Sequence, residues 1–109
     1  MDRTVTPEEL KGLLSSSEQP TLLDVRRGAD YDSDKTIIPG AQRQDPEKIA
    51  AWSQDLLKNK KVIVYCARGG SVSNSVIDHL HTQGLDAKFI EGGILAWKNS
   101  GGKTIPGPL

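Results

Sequence analysis

Val62-Ile63-Val64-Tyr65 is an unbroken run of β-branched and aromatic residues, and Cys66 follows it at once. Such a run suits a strand buried on both faces, as strands inside a parallel sheet are. A parallel strand reaches its neighbour only through a crossover, usually a helix. The chain supplies one. Residues 66–71 read as a loop, and Val72, Val76, Ile77 and Leu80 then recur at helical spacing, ending near Gly84. Ala87-Lys88-Phe89-Ile90 is the next strand, Glu91-Gly92-Gly93 a turn, and 94–99 a short helix.

The same alternation runs upstream. Thr6-Pro7-Glu8-Glu9 is a helix start: Thr6 caps, Pro7 suits the first helical position and Glu9 completes a capping box. Leu10, Leu13 and Leu14 share one face of that helix. Thr21-Leu22-Leu23-Asp24-Val25 is a short strand, and 26–40 reads as irregular. Asp45-Pro46-Glu47 starts a second helix, expected to run through Ile49, Trp52, Leu56 and Leu57. Helices and strands in this order predict an α/β fold, a central parallel sheet with helices on both faces. At 109 residues the chain fits one domain, expected over 1–100, with 101–109 as a flexible C-terminal tail.

Charge removes several functions. Lys plus Arg and Asp plus Glu are 14 each, so bulk charge draws the chain to neither nucleic acid nor an anionic membrane. No apolar run approaches the roughly 20 residues that span a bilayer. Residues 1–10 carry three acids and no apolar core of a signal peptide, so a cytoplasmic location is expected. The single cysteine leaves no intrachain disulfide and no cysteine-based metal cluster, and no cofactor is implied.

The chemistry concentrates around Cys66. Ligands of parallel α/β sheets bind at the carboxyl ends of strands, where Cys66 falls. Gly69 and Gly70 let a loop turn its amides toward one centre, an anion-binding nest. The next helix adds its positive end, and Arg68 adds a full charge. These surroundings favour a thiolate over a thiol. The same donors suit an anionic substrate, so Ala67, Arg68, Gly69, Gly70, Ser71 and Val72 are the expected substrate-binding residues around a catalytic Cys66.

Rival loops fit less well. A nucleotide-binding P-loop needs Lys-Ser or Lys-Thr after its second glycine, where Ser71-Val72 stands. Cysteine phosphatases carry His-Cys, five residues, then Arg; here Tyr65 precedes the cysteine and Val72 occupies the arginine position.

Four segments resemble the single-domain rhodanese sulfurtransferases, in order, over about Val5 to Trp97. They are Leu22-Leu23-Asp24-Val25-Arg26, Ile38-Pro39-Gly40-Ala41, Val62-Ile63-Val64-Tyr65-Cys66, and Glu91-Gly92-Gly93-Ile94-Leu95-Ala96-Trp97. The resemblance implies the rhodanese-like three-layer fold. It also implies ping-pong sulfur transfer: the thiolate takes sulfur from a donor such as thiosulfate, and cyanide or a thiol removes it from the persulfide. Three departures stand out. Thr36-Ile37 replaces the family's frequent Gly-His, Ser71 stands where many members have arginine, and no second cysteine is present to resolve a persulfide. The acceptor must then come from outside the chain, as a small molecule or an acceptor protein. A sulfur relay, a non-catalytic interaction module and a thiolate phosphatase or arsenate reductase are the competing functions.

The remaining residues have plainer expectations. Ser71 caps the helix starting at Val72, Asp24 holds loops together, and Arg26 and Arg27 pair with carboxylates. His79 and His81 lie in the helix away from its N-terminus. Trp52 and Trp97 belong to the core.

Overall fold

The computed structural model describes residues 3–17, 19–56, 59–68 and 70–107. Gly69 of the expected site and Leu57 of the expected second helix lie outside these residues.

The first helix begins as its sequence dictates. Strand β1 (Thr4–Val5) leads into α1 (Pro7–Leu14). The Glu9 amide donates to Thr6 Oγ1 at 3.1 Å and the Thr6 amide to Glu9 Oε1 at 3.0 Å, closing the capping box. Strand β2 (Thr21–Asp24) follows, then α2 (Gly28–Ser33), β3 (Thr36–Ile37) and β4 (Gln42–Arg43). Helix α3 (Ile49–Trp52) sits between 3-10 turns at Pro46–Lys48 and Ser53–Asp55. Strand β5 (Val62–Tyr65), helix α4 (Ser71–Thr82), strand β6 (Ala87–Ile90), helix α5 (Gly93–Asn99) and strand β7 (Ile105–Pro106) complete the order.

Five strands form one parallel sheet in the order β1-β6-β5-β2-β4. Strand β5 is central, and all four of its residues are buried. Its side chains alternate between two cores, as the pleat requires. Val62 and Val64 face Trp52, Val76, Ile77 and Leu80 under α3 and α4. Ile63 and Tyr65 face Leu10, Ile94 and Trp97 under α1 and α5. Helices thus cover both faces, and Trp52 and Trp97 are core residues.

Three expectations change. Residues 26–40 are not irregular: α2 and β3 lie there, held by a buried arginine described below. The second helix is broken. Asp45 caps only a 3-10 turn, its Oδ1 accepting from the Glu47 amide at 2.9 Å, and Leu56 is already extended. The Asp45 carbonyl accepts from Trp52 Nε1 at 2.7 Å, so the indole folds back over its own turn. The segment expected as a flexible tail is tied down through Gly107. β7 pairs antiparallel with β3, the Gly107 amide donates to the Lys35 carbonyl at 2.7 Å, and Trp97 Nε1 donates to the Lys103 carbonyl at 2.8 Å. These contacts pair distant segments, which no local pattern encodes.

Among the described residues no helix is long and apolar enough to cross a membrane.

Candidate active site

Cys66 follows β5 directly and is buried, 6% exposed. The backbone after it is held from one side by α5. The Ile94 amide donates to the Cys66 carbonyl at 3.0 Å, and the Leu95 amide to the Ala67 carbonyl at 3.2 Å. In a trans peptide the carbonyl and the next amide point in opposite directions. With both carbonyls drawn toward α5, the amides of Ala67 and Arg68 face the other side of the loop.

Gly92 and Gly93 make this approach possible. Both adopt positive φ, 78° and 65°. A Cβ on Gly93 would lie 2.5 Å from the Cys66 carbonyl oxygen and 2.7 Å from the Ala67 carbonyl carbon. Only glycine admits that contact. The sequence reading placed a turn here without linking it to the cysteine. The adjacent glycines at a strand end were the available signal.

The other end of the loop meets α4. The helix starts at Ser71 with Gly70 as its N-cap, so Ser71 is not the capping residue. A loop residue without a side chain leaves no oxygen to compete for the first amides of the helix. These have no intrahelical acceptors and carry the positive end of a 12-residue helix. Ser71 is exposed and Val72 is half-buried against the core. Arg68 is exposed and has no hydrogen bond or ion pair with the described residues. Cys66, Ala67, Arg68, Gly70, Ser71 and Val72 thus lie along the chain between the end of β5 and the first turn of α4.

A rigid polar cluster fixes the neighbouring strand end. Asp24 and Arg26, both at most 1% exposed, form an ion pair with Arg26 Nη2 at 2.6 Å from Asp24 Oδ2. Arg26 also donates to the Asp34 carbonyl at 2.8 Å and the Thr36 carbonyl at 2.7 Å, which shapes the path from α2 to β3. Arg43 Nη1 reaches Asp24 Oδ1 at 3.3 Å and the Arg26 carbonyl at 2.8 Å. Burial opposes the charge on Arg26, but the hydrogen bond and charge of Asp24 outweigh it and raise its pKa. Asp24 thus ties Arg26 and Arg43 to the loops they contact, a scaffold for loops. Arg27 breaks the expectation of pairing: it is exposed, and its guanidinium has no hydrogen bond or ion pair among the described residues.

Tyr65 stands where the phosphatases carry histidine. Its hydroxyl accepts from the Ile38 amide at 3.2 Å inside the core. Burial, then the charge of Asp24, push its pKa well above the ordinary tyrosine value. His81 Nε2 lies 2.9 Å from the Ala87 carbonyl, a packing contact. His79 lines a groove of about 370 Å³ together with Arg27, Glu47, Ile49, Ser71 and Val72. Sequence reasoning did not connect Arg27, Glu47 or His79 with the loop, since their approach depends on tertiary packing.

A parallel α/β sheet with a lone cysteine at the end of its central strand, followed by a glycine loop and a helix, defines the class. The chain belongs to the rhodanese-like domain family, whose model matches residues 6–100. Solved structures agree. A rhodanese-like domain protein from Staphylococcus aureus is 32% identical, with 89% of this chain and 91% of that chain covered and a TM-score of 0.76. A rhodanese-related protein from Thermoplasma volcanium is 24% identical, covers 94% of this chain and 97% of that one, and gives a TM-score of 0.80. A protein of unknown function, possible tyrosine phosphatase, from Rhodopseudomonas palustris shares the fold at a TM-score of 0.79 and 23% identity, with 95% and 85% of the two chains covered.

Proposed function

We propose that the protein is a sulfurtransferase that carries sulfur as a persulfide on Cys66. The observation that supports this best is the double anchoring of the cysteine loop. Helix α5 holds the Cys66 and Ala67 carbonyls from one side, while the loop closes on the uncapped N-terminus of α4. Such a loop offers backbone donors to an anion without moving on each turnover, which is where preorganised sites gain their rate.

Two transfers make the cycle. The Cys66 thiolate attacks the outer sulfur of thiosulfate, and the S–S bond of the donor breaks to release sulfite. The new Sγ–S bond stores the sulfur. Cyanide or a thiol then attacks the outer sulfur, and the electron pair of the Sγ–S bond returns to Sγ as thiolate. Amides facing the loop interior and the helix end stabilise the negative charge at both stages. Arg68, exposed on the loop, meets the anionic donor.

A relay to an acceptor protein is the second reading. Leu95, 47% exposed, donates its amide to the Ala67 carbonyl and so borders the loop with a free apolar side chain. Thiocyanate formation from thiosulfate and cyanide tests the enzyme reading: it requires Cys66 and is absent from Cys66→Ser. Loading without release to cyanide favours the relay. Hydrolysis of p-nitrophenyl phosphate that disappears in Cys66→Ser would overturn both in favour of a phosphatase.

A further inference from the structure

The groove beside the cysteine loop is larger than sulfur donation requires. Its volume is about 370 Å³. One water molecule occupies about 30 Å³ of liquid, so the groove holds roughly a dozen waters or one small organic molecule. Cyanide or thiosulfate fills a fraction of it.

The lining has a definite chemistry. Ile49 and Val72 give it apolar surface, Ser71 and His79 give it polar groups, and Arg27 and Glu47 give it opposite charges. Three arginines gather at this end of β2 and β4, and two are committed. Arg26 is spent on Asp24, and Arg43 on Asp24, the Arg26 carbonyl and the face of Tyr31. Arg27 alone among these three has a guanidinium without a partner among the described residues.

Strand register places Arg27 near the cysteine. Asp24 pairs with Tyr65 across β2 and β5, and the Val25 amide donates to the Tyr65 carbonyl at 2.9 Å. Cys66 is one residue past that pairing and Arg27 three. Arg27 is itself extended, φ −65° and ψ 157°. A rise of about 3.3 Å per residue and a strand spacing of about 4.8 Å put the two Cα atoms on the order of 8 Å apart. A guanidinium on a stem of that reach can hold a carboxylate while a thiol on the same molecule meets the outer sulfur.

We propose that this groove binds the sulfur acceptor, and that the acceptor is an organic thiol bearing a carboxylate, which Arg27 holds. The proposal rests on the persulfide reading above. In the transfer, the acceptor thiolate attacks the outer sulfur of the Cys66 persulfide. The Sγ–S bond breaks and a new S–S bond forms on the acceptor. The electron pair stays on Sγ as thiolate, and the negative charge of the persulfide leaves with the transferred sulfur. No outside oxidant or reductant is needed. Arg27 is a specificity residue in this scheme, pairing with the carboxylate by a charge-assisted hydrogen bond.

The test separates the carboxylate from the thiol. Protein loaded with sulfur and freed of donor is mixed with 3-mercaptopropionate or 2-mercaptoethanol, and the rate constants are expressed as a ratio. Intrinsic thiol reactivity cancels when the ratio is compared between proteins. Arg27→Gln should lower the ratio by about tenfold, the scale of one charged hydrogen bond, and Arg27→Lys should retain most of it. A ratio unchanged by Arg27→Gln overturns the proposal and leaves persulfide chemistry intact. A second arm needs no sulfur transfer. In Cys66→Ser, 3-mercaptopropionate should shift the amide resonances of Ser71, Val72 and His79 saturably, and adding Arg27→Gln should abolish this. Shifts that do not saturate, or that survive the arginine substitution, overturn the proposal even where Cys66 never carries sulfur.

Discussion

Gly93 lies against the backbone of Cys66, so close that a Cβ there would stand 2.5 Å from the Cys66 carbonyl oxygen. The contact sets the orientation of the cysteine loop, because the next residue, Ile94, donates its amide to that same oxygen at 3.0 Å.

Gly93→Ala should therefore impair sulfur loading at Cys66 by tenfold or more. It should also cost about 1–3 kcal/mol of stability for a non-glycine residue at positive φ, with the clash adding to this. Gly84→Ala is the control: its φ is 76°, but none of the described residues lies within 4 Å of the new Cβ. It should lose stability through strain alone and keep its loading rate. Thermal unfolding and loading rates on both variants check this. Equal loading by the two variants would remove Gly93 from the account of the site.

The Asp24–Arg26 pair should matter chiefly for folding. Removing one member of a buried pair strands the other charge, and Asp24→Asn should cost about 3–5 kcal/mol in urea unfolding. Loss of less than about 1 kcal/mol would mean that water or a neighbouring group compensates Arg26.

Ser73 and Ser53 are buried, and their hydroxyls lack hydrogen-bond partners among the described residues. A buried donor without an acceptor is a net cost, and alanine removes it at almost constant volume. Ser73→Ala should leave the melting temperature unchanged or raise it. A clear fall would mean the hydroxyl has a partner in solution.

Stability should fall in acid through Asp34. Its carboxyl is held at about 2, below the ordinary 3.8, by its hydrogen bond to Lys98, then by Thr36. The unfolded chain binds the proton first as pH falls, so this contribution is complete above the ordinary carboxylate range. It declines as pH drops from about 5 toward 2. The pair is partly exposed, so the effect is modest and weakened by salt. Lys98→Met should flatten this part of the pH–stability curve, measured by urea midpoints. A curve of unchanged slope would dismiss the pair.

The sequence carried the elements of the central chemistry because they are local. Val62-Ile63-Val64-Tyr65 is buried on both faces and declares itself by composition alone. Thr6, Pro7 and Glu9 form a capping box by spacing alone. The two-residue strands β1, β3, β4 and β7 lack enough residues for a period to register. The helix expected through Leu56 and Leu57 breaks into 3-10 turns on either side of Ile49–Trp52, where the Trp52 indole folds back to the Asp45 carbonyl. At the site, the cysteine, the glycine loop and the following helix were readable. The role of Gly93 was not, since a glycine in a turn says nothing about which distant carbonyl approaches it. The sequence predicts a carboxylate partner for Arg27, and only the tertiary structure reveals that Arg26 and Arg43 take that of Asp24 instead.

The most direct test of the central claim is the intact mass of the protein after incubation with thiosulfate, with and without later cyanide, beside Cys66→Ser. The account predicts a gain of one sulfur, about 32 Da, that cyanide removes and the serine variant never shows. An unchanged mass with thiosulfate, mercaptopyruvate and glutathione persulfide alike, or a gain that persists in Cys66→Ser, would contradict it.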